Sequence, residues 1–217
     1  MKEIVLTLYE KRMISQIEKE ELPKHIILVI AEEDLQTNEA LDKLKEFVSW
    51  CSEIKITQIT IYISVIDAEE LSKMICSNST KLLIEKMSDI TADVTIYTES
   101  EKIELKKDGC DLTVDISIGF GGKYELTNAI KQIMLKVEKG ELRPENIDEK
   151  TIESHLIFKS EPDLIIKTRG ERLTNFLIWQ AVYSELYFTD VNWLGFRKID
   201  LLRAVRDYQK RQRRFGG

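Results

Sequence analysis

The sequence predicts an α/β fold, a single domain with a mostly parallel central sheet of about six strands surrounded by helices. Two observations predict it. Short apolar, β-branched runs alternate along the chain with segments of helical spacing, and several of those runs are apolar on both faces, as buried parallel strands are. Because 217 residues suit one domain and no repeat or linker divides them, we predict one domain over residues 1–217.

The predicted elements follow in chain order. Residues 1–22 are predicted to form an amphipathic leading helix that is broken before Pro23. Apolar residues at helical spacing predict two further helices, over Ala40–Cys51 and Leu126–Val137, and another helix is expected to begin near Asn175. The predicted strands are Ile26–Ile30, Ile59–Ile66, Val94–Tyr97, Leu112–Ile118 and Leu164–Lys167.

Composition argues against several classes of protein. The three cysteines are far apart and form no Cys-x-x-Cys pair, so reduced thiols are expected rather than a zinc site or disulfides. No apolar window reaches the roughly 18–20 residues of a membrane span, and the first residues show no secretory signal pattern. A cytoplasmic protein is therefore expected, and a net charge of −6 argues against a nucleic-acid ligand.

The charge is distributed unevenly along the chain. Residues 197–217 carry eight lysines and arginines against two aspartates. A basic terminus on an acidic protein suggests an anionic ligand or partner nearby, although a solvated basic helix face has the same composition.

Glycines cluster at Gly119, Gly121 and Gly122, between the predicted strand ending at Ile118 and the following helix. A strand–glycine–helix junction presents free backbone N–H groups that suit an anion. Tight turns between strands and helices need glycine as well, and the run matches neither a P-loop nor a Gly-x-Gly-x-x-Gly fingerprint. The cluster alone therefore leaves both interpretations open.

The polar loop after the last predicted strand carries Lys167, Arg169, Arg172 and Thr174. Cations and a hydroxyl at the carboxyl end of a strand form a plausible cradle for a diphosphate, because open parallel sheets bind ligands at that edge. The alternative is a capped helix start with its arginines in solvent. The residues themselves do not decide between the two.

A resemblance favours the diphosphate. Residues 162–193 are similar nearly position by position to the C-terminal signature of cis-prenyltransferases, of which undecaprenyl diphosphate synthases are the best known. The closing residues 211–217 match that family's last motif, with its Arg-x-Gly element at Arg214 and Gly216, and residues 118–123 resemble its Asn-Tyr-Gly-Gly-Arg turn. The family joins isopentenyl diphosphate to an allylic diphosphate.

The resemblance implies roles for individual residues. Lys167, Arg172 and Thr174 fall where the family binds the diphosphate of isopentenyl diphosphate, with Lys167 in place of an arginine. Glu185 matches a glutamate associated with Mg²⁺ at that site. Arg214 and Gly216 are implied to reach across a dimer interface into the partner's site.

The resemblance fails where the family has its Asp-Gly-Asn signature. Ala31 stands in the place of the catalytic aspartate, and a methyl group can bind neither Mg²⁺ nor a hydrogen-bond donor. Roughly a dozen residues are missing after it, which leaves a short connection. The acidic residues nearby in sequence could replace the aspartate or form a solvated loop; they are Glu32, Glu33, Asp34 and Asp67.

We therefore predict a non-catalytic subunit of a heteromeric cis-prenyltransferase that makes a long-chain polyprenyl diphosphate. It would need Mg²⁺ in the complex, a catalytic partner subunit and both diphosphate substrates, and it would be inactive alone. Its product would allow peripheral contact with a membrane. Two alternatives remain: a self-sufficient homodimeric synthase with a displaced carboxylate, and a regulatory protein that binds a diphosphate without catalysis.

Overall fold

The computed structural model of the chain describes residues 2–64, 80–98, 101–118, 121–170, 177 and 179–211. Short 3-10 turns lie at Glu32–Leu35 and Pro144–Asn146. The helices are α1 (Lys2–Ile17), α2 (Asn38–Glu53), α3 (80–87), α4 (Gly122–Glu138), α5 (Glu149–His155) and α6 (Lys198–Lys210). The strands are β1 (His25–Ala31), β2 (Gln58–Ser64), β3 (Asp93–Tyr97), β4 (Lys102–Leu105), β5 (Thr113–Ile118), β6 (Leu164–Thr168) and β7 (Glu185–Thr189).

The seven strands form one sheet in the order β4-β3-β5-β2-β1-β6-β7. Every neighbouring pair is parallel except β3 and β4, which form an antiparallel edge. In register, Val29 of β1 lies beside Tyr62 of β2 on one side and beside Lys167 of β6 on the other. Because these strands are parallel, their carboxyl ends and the loops that follow them meet at one edge of the sheet.

Each face of the sheet packs against its own layer. The larger core holds alternate residues of the strands together with buried side chains of α1, α2 and α6, among them Met13 and Leu44. The smaller core lies on the opposite face and contains Ile165, Phe158 and Leu177. Fully burying an aliphatic or aromatic side chain of this size contributes roughly 1.5–3 kcal/mol, so both layers hold the sheet in place.

An aromatic cluster connects the larger core to the segment after β7. Phe47 of α2 contacts Trp193 edge-on at 6.1 Å between ring centroids, and Trp193 stacks on Phe196 at 6.0 Å. The indole N–H of Trp193 donates to the carbonyl oxygen of Ala40 at 2.8 Å, so its one polar group is satisfied in the core.

The predicted fold class is confirmed, with seven strands rather than about six. The five predicted strands correspond to β1, β2, β3, β5 and β6, although residues 65–66 of the second lie outside the described residues. The edge strands β4 and β7 were missed. The leading helix ends at Ile17 rather than at residue 22, and the helices predicted within α2 and α4 are confirmed.

The helix predicted from Asn175 is not observed where the chain can be followed. Asn175 itself lies outside the described residues, and residues 179–183 form turns that lead into β7. None of the described helices is long and apolar enough to span a membrane.

Candidate functional site

Lys167 lies on β6 near the carboxyl edge of the sheet, in register with Val29 of β1. Its side chain is buried, and its ammonium donates to the carbonyl oxygen of Thr168 at 2.9 Å. Burial lowers the pKa of Lys167, the carboxylate of Asp34 opposes that shift, and the nearby Arg169 adds to it. With one acceptor among the described residues, the ammonium keeps further donor capacity for an anion.

The backbone turns sharply where β6 ends. Arg169 and Gly170 have φ angles of 52° and 94°, so two consecutive residues adopt the left-handed conformation that favours glycine. The Arg169 backbone N–H donates to the carbonyl oxygen of Val191 at 3.2 Å, which anchors this turn to the segment after β7. A non-glycine residue held in this conformation is a recurrent feature of ligand-binding loops.

The acidic turn Glu32–Leu35, which follows β1, lies close to the cations Lys167 and Arg169. Arg169 Nη1 lies 3.6 Å from Asp34 Oδ1 and 3.9 Å from Glu33 Oε2. The two carboxylates differ in environment, because the Asp34 side chain is 12% exposed and that of Glu33 is 54% exposed. Asp34 is therefore the acidic residue that the fold holds close to the cations.

Two oxygens of the acidic turn are buried without a hydrogen-bond partner in the part of the chain that the structure describes. They are Oε1 of Glu32 and Oδ2 of Asp34. Burial raises the pKa of Glu32, and the neighbouring Glu33 carboxylate raises it further. Unsatisfied buried carboxylate oxygens indicate a place where a cation or a donor could be accommodated.

These carboxylates are too few to hold a magnesium ion by themselves, but they are enough to hold one together with a diphosphate. No group of three or more metal-ligating side chains occurs among the described residues. Mg²⁺ is, however, commonly held by one or two carboxylates together with the phosphate oxygens of a substrate. Glu32 and Asp34 can supply that number, whereas Ala31, which ends β1 beside Ser64, can supply none. The donor set thus suits Mg²⁺ bound together with a diphosphate.

Glu185 is the first residue of β7, so it lies at the amino end of the strands, whereas Lys167 lies near their carboxyl end. The parallel register pairs it with Leu164, whereas Lys167 pairs with Phe188, three positions further along β7. At a rise of about 3.3 Å per residue, roughly 10 Å separates the two along the strands. Glu185 instead accepts from Arg211 at 3.1 Å. Within one chain, Glu185 and Lys167 do not meet, and the metal role of Glu185 stays a prediction.

Several predicted site residues fall outside the described residues, namely Arg172, Thr174, Arg214, Gly216, Asp67 and Gly119. Gly121 precedes α4 as its N-cap, and Gly122 begins the helix. His25 is buried on β1, where its Nε2 lies 2.9 Å from Thr60 Oγ1, in agreement with a structural role.

A buried polar network formed by Glu125 and Gln180 was not predicted from the sequence. Glu125 lies on the buried stripe of α4, four and eight residues before Ala129 and Ile133. A carboxylate on an apolar stripe needs a buried partner, and that spacing was visible in the sequence. The partner itself was not, because Gln180 lies 55 residues further along the chain.

Comparison with known proteins identifies similar sequences. The family model described as putative undecaprenyl diphosphate synthase matches residues 65–216. A tritrans,polycis-undecaprenyl-diphosphate synthase (geranylgeranyl-diphosphate specific) of Methanocaldococcus jannaschii is 35% identical, over 98% of this chain and 89% of that protein. A synthase of the same name from Archaeoglobus fulgidus is 32% identical, over 94% of this chain and 96% of that protein.

Two solved structures share the fold. One is lavandulyl diphosphate synthase from Lavandula x intermedia in complex with dimethylallyl diphosphate, with a TM-score of 0.70, 24% identity, and coverage of 90% of this chain and 99% of that one. The other is a probable undecaprenyl diphosphate synthase from Campylobacter jejuni, with a TM-score of 0.70, 20% identity, and coverage of 91% and 99%. All of these relatives are named as synthases, and nothing in the comparisons supports the accessory-subunit prediction.

Proposed function

Because the chain belongs to the cis-prenyltransferase family described as putative undecaprenyl diphosphate synthase, we propose that it elongates an allylic diphosphate with isopentenyl diphosphate. The observation that supports this most is the meeting of two cations with an acidic turn at one edge of the sheet. Buried Lys167 lies near the end of β6 and Arg169 directly after it, and Arg169 Nη1 lies 3.6 Å from Asp34 Oδ1 in the turn after β1. The cations suit a diphosphate, and the acidic turn suits a metal ion bound together with it.

The proposed roles follow from burial and charge. Lys167 would bind and orient a diphosphate at the sheet edge, where a partly desolvated ammonium interacts more strongly than one in water. Arg169 would exchange its solvent-screened ion pairs with Glu33 and Asp34 for contacts with the incoming anion. Mg²⁺, when bound, would neutralise part of the charge of a departing diphosphate.

In the first arrangement, the chain works with its own carboxylate. Asp34 would replace the family's aspartate, whose position Ala31 occupies. The largely buried Asp34 carboxylate lies 3.6 Å from Arg169 and has one oxygen without a partner among the described residues. This arrangement is supported by the relatives, which are named as synthases and are matched over 89–97% of their length.

In the second arrangement, the chain is one subunit of a heteromeric synthase, and another subunit supplies the missing aspartate. The specific observation in its favour is Ala31, an alanine at the end of a central strand where the resemblance places the catalytic aspartate. The isopentenyl diphosphate half-site would still lie on this chain in that arrangement.

Turnover by the purified chain distinguishes the two arrangements. The assay supplies labelled isopentenyl diphosphate, geranylgeranyl diphosphate and Mg²⁺, and it measures polyprenyl product. The first arrangement predicts product that Asp34→Asn abolishes and Glu33→Gln retains, because Glu33 is the exposed carboxylate of the pair. Product that survives Asp34→Asn would reject the displaced carboxylate.

The second arrangement predicts no product from the chain alone. Product would appear on co-expression with a cis-prenyltransferase subunit that has an intact Asp-Gly-Asn motif, and Arg214→Ala would abolish it. Neither turnover nor binding of isopentenyl diphosphate under any of these conditions would refute the proposed function as a whole.

A further inference from the structure

The Arg169 side chain lies between two carboxylates of the acidic turn Glu32–Leu35. Its Nη1 is 3.6 Å from Asp34 Oδ1 and 3.9 Å from Glu33 Oε2, and both distances are longer than a hydrogen bond. The side chain is 61% exposed, and an exposed ion pair of this kind contributes little. Arg169 is therefore held near the acidic turn by charge, but it can exchange these carboxylates for another partner.

The backbone that carries this side chain has a fixed place at the carboxyl edge of the sheet. Arg169 has a φ of 52°, and its N–H donates to the Val191 carbonyl oxygen at 3.2 Å. Just before it, Thr168 Oγ1 donates to the Val29 carbonyl oxygen at 3.2 Å. A strained residue of this kind persists only where its surroundings hold it, and such residues cluster at binding sites and switch regions. The guanidinium can thus change its partner by rotation of its own side chain, with no movement of the backbone.

The two oxygens of the Asp34 carboxylate have different surroundings. Oδ1 makes the contact with Arg169, whereas Oδ2 is buried and has no hydrogen-bond partner among the described residues. The side chain as a whole is only 12% exposed, so water reaches little of it. An ionised carboxylate can accept from a separate partner at each oxygen. One oxygen of Asp34 therefore makes a weak contact with a cation, and the other can bind a second cation.

Two cations on one carboxylate weaken each other's binding, because they share one negative charge and repel each other. A divalent ion carries twice the charge of a guanidinium, and Mg²⁺ prefers carboxylate oxygens as its protein ligands. Arg169, which is exposed and weakly bound, would therefore be the cation that leaves when a metal ion occupies Asp34. Binding of the metal ion thus releases a guanidinium at the end of β6.

The released guanidinium lies close to the candidate diphosphate site. Lys167 precedes Arg169 by two residues near the end of β6 and is 8% exposed. Burial lowers the pKa of Lys167, the Asp34 carboxylate opposes that shift and Arg169 adds to it, so these three charges interact with one another. A diphosphate bound by Lys167 would replace Asp34 as the anionic partner of Arg169, since a planar guanidinium can bind two phosphate oxygens at once.

We infer that Asp34 is a positioning residue that controls Arg169, so that a divalent cation and a diphosphate each strengthen the binding of the other. Without a metal ion, Asp34 holds Arg169 at the acidic turn. With a metal ion on Asp34, Arg169 binds the diphosphate together with Lys167. Such coupling is reciprocal by thermodynamic necessity. This inference rests on the proposed function, because it concerns the same site, and it applies in both of the arrangements described above.

The test is the binding of isopentenyl diphosphate to the full-length chain, measured by calorimetry once with a metal chelator and once with Mg²⁺. Asp34→Asn keeps the shape of the side chain and removes its charge. With the chelator, it should strengthen binding about fivefold, because Arg169 is no longer held at the acidic turn. With Mg²⁺, it should weaken binding about tenfold, because the metal ion loses a carboxylate ligand and the coupling is lost. A residue that only stabilised the fold would weaken binding in both conditions.

Two further variants separate the release of Arg169 from the simple removal of a negative charge. In an Arg169→Gln chain, which keeps a Cβ at the strained turn, Asp34→Asn should change binding with the chelator by less than about twofold. Glu33→Gln is the matched control, because it removes the same charge from the same turn at a side chain that is 54% exposed. It should change binding by less than about twofold in either condition.

The outcomes separate the inference from the function on which it rests. Equal strengthening by Asp34→Asn in the wild-type and Arg169→Gln backgrounds would show that charge alone is responsible, and it would overturn the inference. The inference also fails if Asp34→Asn does not strengthen binding with the chelator, if it does not weaken binding with Mg²⁺, or if Glu33→Gln has an effect as large. In each of these cases the proposed function stands, provided that the wild-type chain binds isopentenyl diphosphate with Mg²⁺. A wild-type chain that does not bind it refutes the proposed function and this inference with it.

Discussion

Replacing Lys167 by methionine should reduce diphosphate binding while leaving the fold intact. The substitution keeps the length and volume of the side chain and removes its charge and its donors. Among the described residues, the ammonium makes one hydrogen bond, to the Thr168 carbonyl oxygen, and Lys167 is 8% exposed. A bond between an ammonium and an anion contributes about 1.5–3 kcal/mol, which corresponds to a loss of binding of roughly 10- to 150-fold.

The effect of Lys167→Met on the free energy of unfolding should be small, because two contributions of opposite sign partly cancel. Burial lowers the pKa of Lys167 below its usual 10.5, so the folded state binds this proton less tightly than the unfolded state does. The charged lysine therefore costs stability at neutral pH, and that cost fades as the pH rises through the lowered pKa. Methionine removes the cost but also loses the bond to Thr168, so the free energy of unfolding should change by about 1 kcal/mol or less.

Two measurements test this prediction together. Urea unfolding at pH 7 and at pH 10 gives the free energy of unfolding, and calorimetry with isopentenyl diphosphate gives the dissociation constant. Lys131→Met, the same substitution at an exposed position of α4, is the control and should affect neither. A loss of several kcal/mol of stability with unchanged binding would show that Lys167 serves the fold, and the reasoning about the site would be refuted.

Three further predictions concern the scaffold. Gly170→Ala should lower the free energy of unfolding by about 1 kcal/mol in urea, because alanine is strained at a φ of 94°, although no atom of the described residues lies within 4 Å of its Cβ. Trp193→Phe should cost about 1–3 kcal/mol in the same assay, because it leaves the Ala40 carbonyl oxygen without its indole donor. Burial lowers the pKa of His25 to about 4, so the free energy of unfolding should fall as the pH drops from 6.5 towards 4. His25→Gln should flatten that pH dependence, which urea unfolding at pH 7 and at pH 4.5 measures.

The parallel interior of the fold could be predicted from the sequence because its strands are apolar on both faces. The edge strands lack that signal. β4 alternates Lys102 and Glu104 with two half-buried apolar residues over only four positions, and β7 is partly exposed along its whole length. In the described sheet, each of them has a single neighbouring strand, so neither needs the continuous apolar run that marks a buried strand.

The candidate site could be predicted in part. Lys167 was predicted because a charged residue ends an apolar strand, and the structure places it at the expected edge. The distance of Glu185 from Lys167 could not be predicted, because it depends on how β7 is registered against β6. The closeness of Asp34 to Arg169 depends likewise on β1 and β6 being neighbours, which no local pattern encodes.

The place of β1 between β2 and β6 also has a consequence for how the chain reaches this fold. β2 follows β1 closely in sequence, but the contact between Thr168 and Val29 closes a separation of 139 residues. During synthesis, the backbone edge of β1 that pairs with β6 therefore stays unpaired until most of the chain has left the ribosome. Such high contact order predicts slow folding, with an open strand edge that is prone to wrong pairing until the C-terminal third arrives.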